Sequence, residues 1–257
     1  MGFHHKHFAS VDRKASSGYL DRIFVEMMWY KAFSLWLSLE RGFHVLFQDL
    51  DLVWFRDPME YFQQHKNFSG GEYSAFLSDD GQRSLRYTPF YANSGFYYIR
   101  STPANINFAY TVMISFDILQ ATGSHQNVFT FRLLESLDLT GTPRMFLSLT
   151  DFPSGVKYHH DKAFMRSIVE GTVRPYMFHM CWTANKGQKL ENFKKVNMWY
   201  LDSSKCTDRN LMPPAGALYK QVLSAYSKPS TKKISEQQSH NMFNALSEEC
   251  CVLEGTL

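Results

Sequence analysis

Gly42-Phe43-His44-Val45-Leu46-Phe47-Gln48-Asp49-Leu50-Asp51-Leu52-Val53-Trp54-Phe55-Arg56-Asp57-Pro58 is the stretch that decides the reading of this chain. His44 to Gln48 is a short β-prone run, so Asp49 and Asp51 fall where a strand meets its following loop. In open α/β sheets that edge is where ligands bind. Apolar residues flank the two acids on both sides, and an unpartnered charge in such a setting is costly. Two carboxylates one residue apart suit a shared hard divalent cation, Mn²⁺ or Mg²⁺. Such an ion neutralises charge that develops on a departing group.

Working outward, Val25, Met28, Trp29, Ala32, Phe33, Trp36 and Leu39 recur at helical spacing over Phe24 to Glu40, with Asp21 as a cap and Gly42 as a stop. Met59 to Gln64 reads as a short helix after the break at Asp57-Pro58. Tyr73 to Leu77 reads as a strand ending at the turn-rich Ser78-Asp79-Asp80-Gly81, and Gly95 to Ile99 as a strand preceded by Asn93-Ser94. Asn105 to Ala121 and Gln126 to Leu137 read as helices, and Met145 to Leu149 and Tyr176 to His179 as strands. This mixture without a tandem repeat predicts a single α/β domain over 1–227, followed by a polar tail over 228–257.

With 257 residues, 44% of them apolar, the chain is long enough for a substantial core. A net charge of +3 does not supply the concentrated basic face that a nucleic-acid partner needs. No apolar run approaches the roughly 20 residues that cross a bilayer, and the N-terminal residues lack a signal-peptide core. Cys181, Cys206, Cys250 and Cys251 have no paired metal-site spacing; a Cys181–Cys206 disulfide and two buried thiols both fit. Asn67-Phe68-Ser69 is a glycosylation sequon.

Asp-x-Asp is common on solvated loops, and Asp49-Leu50-Asp51-Leu52-Val53 also fits a haloacid-dehalogenase-type phosphohydrolase with Asp49 as nucleophile. That chemistry requires a strand-end Ser or Thr and then a Lys before its second acidic pair. Asp79-Asp80 comes too early to leave room for them, which ranks this alternative second.

The quoted stretch, together with Asn93-Ser94-Gly95-Phe96, Gln126-Asn127-Val128-Phe129, and His179-Met180-Cys181-Trp182-Thr183 followed by Lys186 and Lys189, resembles the nucleotide-diphospho-sugar transferases of glycosyltransferase family 77. The resemblance covers Phe24 to Leu201, and the order of the segments is more specific than any one of them. It implies a GT-A-like (Rossmann-like) mixed sheet flanked by helices, a nucleotide-sugar donor of the pentose or galactose class, a glycan or glycoprotein acceptor, retention of anomeric configuration, and residence in the Golgi lumen, where full-length members carry an N-terminal anchor. By the same resemblance Asp49 contacts the ribose or a metal-bound water, Asp51 ligates the metal, and His179 is a further ligand favouring Mn²⁺. Lys186, ahead of Lys189, holds the diphosphate. Lys31 contacts the donor, the alternative being a lysine that snorkels to solvent. Asn93 and Ser94 face sugar hydroxyls, Gly95 permits close approach of backbone to ligand, and Gln126 lies beside the reacting sugar carbon.

The sequence departs from that pattern in two places. His125 stands where the family commonly has Asp. The residues before Phe24 are too few and too polar to supply the first β-α-β unit of such a domain, so the chain reads as beginning inside one. A third expectation from the same residues is a sugar-nucleotide-binding protein without turnover.

Overall fold

The computed structural model describes residues 21–64, 73–82 and 90–201. The chain divides into two compact units, Met1–Val196 and Asn197–Leu257. Everything below concerns the first. The sequon at Asn67, the boundary expected at 227/228, and Cys206, Cys250 and Cys251 lie outside the described residues.

Helix α1 runs over Arg22–Glu40. The Asp21 side chain accepts from the Phe24 N–H at 2.7 Å, satisfying one of the donors a helix start leaves open. Gly42, at φ +83°, turns the chain out of the helix into β1, Val45–Gln48. Strand β2, Leu52–Trp54, follows the acidic loop, and α2, Pro58–Gln64, follows the Asp57-Pro58 break. Next come β3, Ala75–Asp79, and β4, Ala92–Ile99. Helices α3 (Pro103–Ile114), α4 (Phe116–Thr122) and α5 (His125–Thr140) lead to β5, Arg144–Leu147. Helices α6 (Gly155–His160) and α7 (Lys162–Val169), strand β6 (Met177–His179) and helix α8 (Lys186–Lys195) complete the unit.

The main sheet has the order β1-β4-β3-β5. β4 pairs antiparallel with both β1 and β3, and β3 pairs parallel with β5, so the sheet is mixed. β2 and β6 form a separate antiparallel ribbon in which Leu52 faces His179. The expected α/β class with a mixed sheet flanked by helices is the one observed.

Alternation along the two central strands builds a core on each face of the sheet. Ala75, Leu77, Tyr97 and Ile99 join Leu35 and Leu39 of α1, Phe108 of α3, and Phe129 and Leu133 of α5. Phe76, Phe96 and Tyr98 point the other way, onto Tyr61, Phe62, Phe152 and Tyr176. Phe152 is fully buried, its ring 4.9 Å from Tyr61 and stacked on Tyr176 at 5.3 Å. Burial of a side chain of this size is worth about 1.5–3 kcal/mol.

Three expected boundaries moved. Ser78 and Asp79, read as a turn, continue β3 because they are buried and paired with Asn93 and Ala92. Asn93 and Ser94 lie within β4 rather than ahead of it. The single helix expected over Asn105 to Ala121 is broken at Ser115, whose hydroxyl donates to the Thr111 carbonyl at 2.6 Å and accepts from Arg132 Nε at 2.9 Å. These bonds suit a chain that turns there.

Candidate active site

Asp49, Leu50 and Asp51 connect β1 to β2. Leu50 is fully exposed, which leaves the two carboxylates on the opposite side of an extended turn. Both ends are fixed through the backbone: the Asp49 N–H donates to the Gly95 carbonyl at 2.7 Å, and the Met180 N–H to the Asp51 carbonyl at 3.0 Å. The second bond extends the β2–β6 ribbon and carries His179 to Asp51, with Nε2 3.3 Å from Oδ1. One donor atom each from Asp49, Asp51 and His179 lie within 4.8 Å of one another.

Gly95 makes this closeness possible. A Cβ there would stand 2.3 Å from His179 Cε1, 2.7 Å from Asp49 Oδ2 and 2.9 Å from Asn93 Oδ1. The Gly95 region of β4 also coincides with a register shift against β3, between Leu77 and Ser78. Such irregularities bend a strand and re-aim side chains, and they recur beside active sites.

Two lysines meet the two carboxylates. Lys31 reaches inward from α1, Nζ 2.7 Å from Asp49 Oδ1 and 4.3 Å from the centre of the Phe47 ring. Its side chain is 8% exposed, so it does not snorkel to solvent. Burial pulls the Lys31 ammonium below its ordinary range, and the Asp49 charge opposes that pull. Lys189, in the second turn of α8, places Nζ 2.5 Å from Asp51 Oδ2. Burial would raise the Asp51 carboxyl, but the His179 hydrogen bond and the Lys189 charge outweigh it and hold the group well below the ordinary carboxylate range. Lys186, favoured over Lys189 by the sequence, stands exposed at the first residue of α8.

A second cluster adjoins the first. Asp80, only 4% exposed, accepts from Asn93 Nδ2 at 2.7 Å, Trp182 Nε1 at 3.1 Å and Gln126 Nε2 at 3.4 Å. Burial raises its carboxyl above the ordinary value, and these three donors restrain the rise. Gln126 is held from the other side by Ser94, whose N–H and hydroxyl donate to Oε1 at 3.1 and 3.3 Å. Asn93 Oδ1 accepts from the Gly95 N–H at 2.8 Å. The structure therefore gathers Asn93, Ser94, Gly95 and Gln126, and centres them on a carboxylate that the sequence reading left in a turn. His125 points into the interior, 5% exposed, kept neutral by burial and by the Lys31 charge, with Nε2 unpartnered. Trp182, unassigned from sequence, has φ +60°, a conformation that strains a bulky residue and often marks a functional position.

The donor set suits a divalent ion: two carboxylates and an imidazole converge, and the His179 Nδ1 is buried without a partner. Oxygen donors with one nitrogen fit Mn²⁺ well.

A sequence profile of nucleotide-diphospho-sugar transferases matches residues 2–193. The chain belongs to the nucleotide-diphospho-sugar transferase family. Among its relatives are the UDP-galactose:fucoside alpha-3-galactosyltransferase of Dictyostelium discoideum, 24% identical over 181 residues, and an uncharacterized protein of Arabidopsis thaliana, 27% identical over 145 residues. The matches cover 64% and 55% of this chain but only 26% and 40% of those proteins, so it spans well under half the length of either. The crystal structure of galactosyltransferase LgtC in complex with donor and acceptor sugar analogs aligns at 12% identity with a TM-score of 0.38, over 66% of this chain and 68% of that one. Membership of this transferase family displaces the haloacid-dehalogenase alternative. No helix among the described residues is long and apolar enough to cross a membrane.

Proposed function

We propose that this protein transfers a sugar from a nucleoside-diphosphate donor to a glycan or glycoprotein acceptor, with a divalent cation, Mn²⁺ before Mg²⁺, held by Asp49, Asp51 and His179. The observation that carries the reading is the convergence of those three donors within 4.8 Å, beside a buried carboxylate that fixes Gln126 and Asn93. The cation supplies charge neutralisation to the departing diphosphate.

The chain's own residues do the rest. The Lys31 ammonium holds the Asp49 carboxylate in one orientation in a half-buried setting, where a fixed charge acts more strongly than in water. Asp80 and Ser94 hold the Gln126 amide in one orientation, so a polar group meets the reacting sugar carbon without reorganising. The exposed part of the Trp182 indole, edge-bound to Asp80, offers an apolar face beside that position. Among the groups described at the site, none combines the exposure and the adjacent base of an activated nucleophile, which accords with retention achieved by positioning the acceptor on the face the diphosphate leaves. Pentose and galactose donors form the first test panel, with UDP-galactose leading because a relative's name carries it. The Golgi lumen is the proposed compartment, on the family resemblance.

The test is donor hydrolysis and transfer with and without Mn²⁺, in the native protein and in Asp51→Ala. Turnover that needs Mn²⁺ and vanishes in Asp51→Ala is expected. Thermal stabilisation by nucleotide plus Mn²⁺ without turnover on any donor would replace the transferase with a sugar-nucleotide-binding protein. Absence of both would refute the site.

A further inference from the structure

Resting on the cation site proposed above, the geometry points to Lys189 as a built-in competitor that occupies Asp51 until a nucleoside diphosphate arrives, so that the cation enters with the diphosphate and binds poorly alone.

The argument is one of charge. Asp49 and Asp51 carry two negative charges, and Lys31 and Lys189 stand on them with two positive ones. The two ion pairs thus already balance each other, with Asp80 in the adjoining cluster as a further carboxylate, and a bare divalent ion meets two ammonium groups at contact distance from its own ligands. Repulsion of that kind is strong where water is partly excluded. One of three things must then happen: an ammonium leaves, anionic charge arrives with the ion, or the ion stays out.

Burial decides which lysine moves. Lys31 is 8% exposed, sits over the Phe47 ring and comes from the middle of a nineteen-residue helix, so it has nowhere to go. Lys189 is 33% exposed and projects from the second turn of α8. Its stem rotates outward at the cost of one ion pair, which frees Asp51 Oδ2 for the cation. A diphosphate brings the anionic charge that both the cation and the released ammonium then share. At Asp51 Oδ1 the contact is the His179 ring at 3.3 Å, a group that would itself ligate the ion.

The experiment titrates the full chain with Mn²⁺, counting bound ion by electron paramagnetic resonance, with and without saturating UDP. It compares the native protein, Lys189→Gln and Asp51→Asn. For Mn²⁺ alone, Lys189→Gln binds about tenfold more tightly than the native protein, and UDP tightens native Mn²⁺ binding by about tenfold or more but Lys189→Gln by much less. Asp51→Asn binds weakly in both conditions. If Lys189→Gln binds Mn²⁺ alone no better than the native protein, the competitor is refuted. Tight native binding of Mn²⁺ alone, lost in Asp51→Asn, refutes it too while leaving the cation site standing, and needs no lysine variant. No Mn²⁺ binding in any sample, with UDP present, overturns the cation site and this inference together.

Discussion

Replacing Gly95 with alanine adds one methyl group at the most crowded point of the site. The new Cβ would lie 2.3 Å from His179 Cε1, where ordinary carbon contacts begin near 3.5 Å, and 2.7 Å from the Asp49 carboxylate. Something must therefore move by about 1 Å. Strand β4 is the least able to do so: it is paired on both sides, and all of its residues are buried. The His179 ring and the Asp49 carboxylate give way instead, and the three-donor cluster opens. Overpacking of this kind costs about 1–3 kcal/mol, which for a chain of this size lowers Tm by roughly 2–4 °C per kcal/mol. Disturbing groups that aim metal ligands typically costs about 10–100-fold in metal affinity. Calorimetric titration with Mn²⁺ plus UDP, alongside thermal unfolding without either, separates the two effects: Gly95→Ala is expected to stay folded, melt somewhat lower and lose most of its affinity. A folded Gly95→Ala with native affinity would mean that the three donors are not held where the geometry puts them.

Asp80→Asn presents an amide to the donors of Asn93, Trp182 and Gln126, and is expected to reduce transfer by about 100-fold or more while leaving Mn²⁺ binding within a few-fold; the check is kcat set against metal affinity. Phe152→Ala empties the aromatic cluster beneath the sheet and should cost about 3–5 kcal/mol of stability, read from denaturant midpoints at unchanged m. Because the folded Asp51 carboxyl lies below its ordinary value of 3.8, its pairing stabilises the metal-free protein above that pH and is lost as pH falls through and beneath it. The Tm advantage of the native protein over Asp51→Asn, measured in chelator, should therefore shrink as pH drops below about 4.

Local signals reached as far as local physics does. The spacing of Val25, Met28, Ala32, Trp36 and Leu39, the Asp21 cap and the Gly42 stop are contained in one stretch of chain, and the helix formed where they place it. Strand β2 has three residues and acquires its identity from pairing with β6, so nothing nearby marks it. Ser78 and Asp79 have turn composition and are strand because both pair with β4, and Ser78 with β5 as well. The short helices α6, α7 and α8 were likewise not foreseen. In the site, Asp49 and Asp51 stood out as charge inside an apolar run, whereas His179 was indicated only by the order of segments. Asp80 was visible as one of two adjacent acids but given to another chemistry, since its three partners come from distant positions. That Lys189 rather than Lys186 reaches Asp51 depends on the turn of α8, which the sequence around it does not fix.

The ribbon that sets Leu52 against His179 joins an early loop of the domain to one of its last strands. A ribosome releasing this chain exposes Asp49 and Asp51 long before their third partner exists. The cluster is complete only after strand β6 has been synthesised and has docked, a long-range pairing of the slow kind. Any ion or nucleotide that depends on all three groups is thus withheld from the growing chain, and its capture reports that folding has run as far as strand β6.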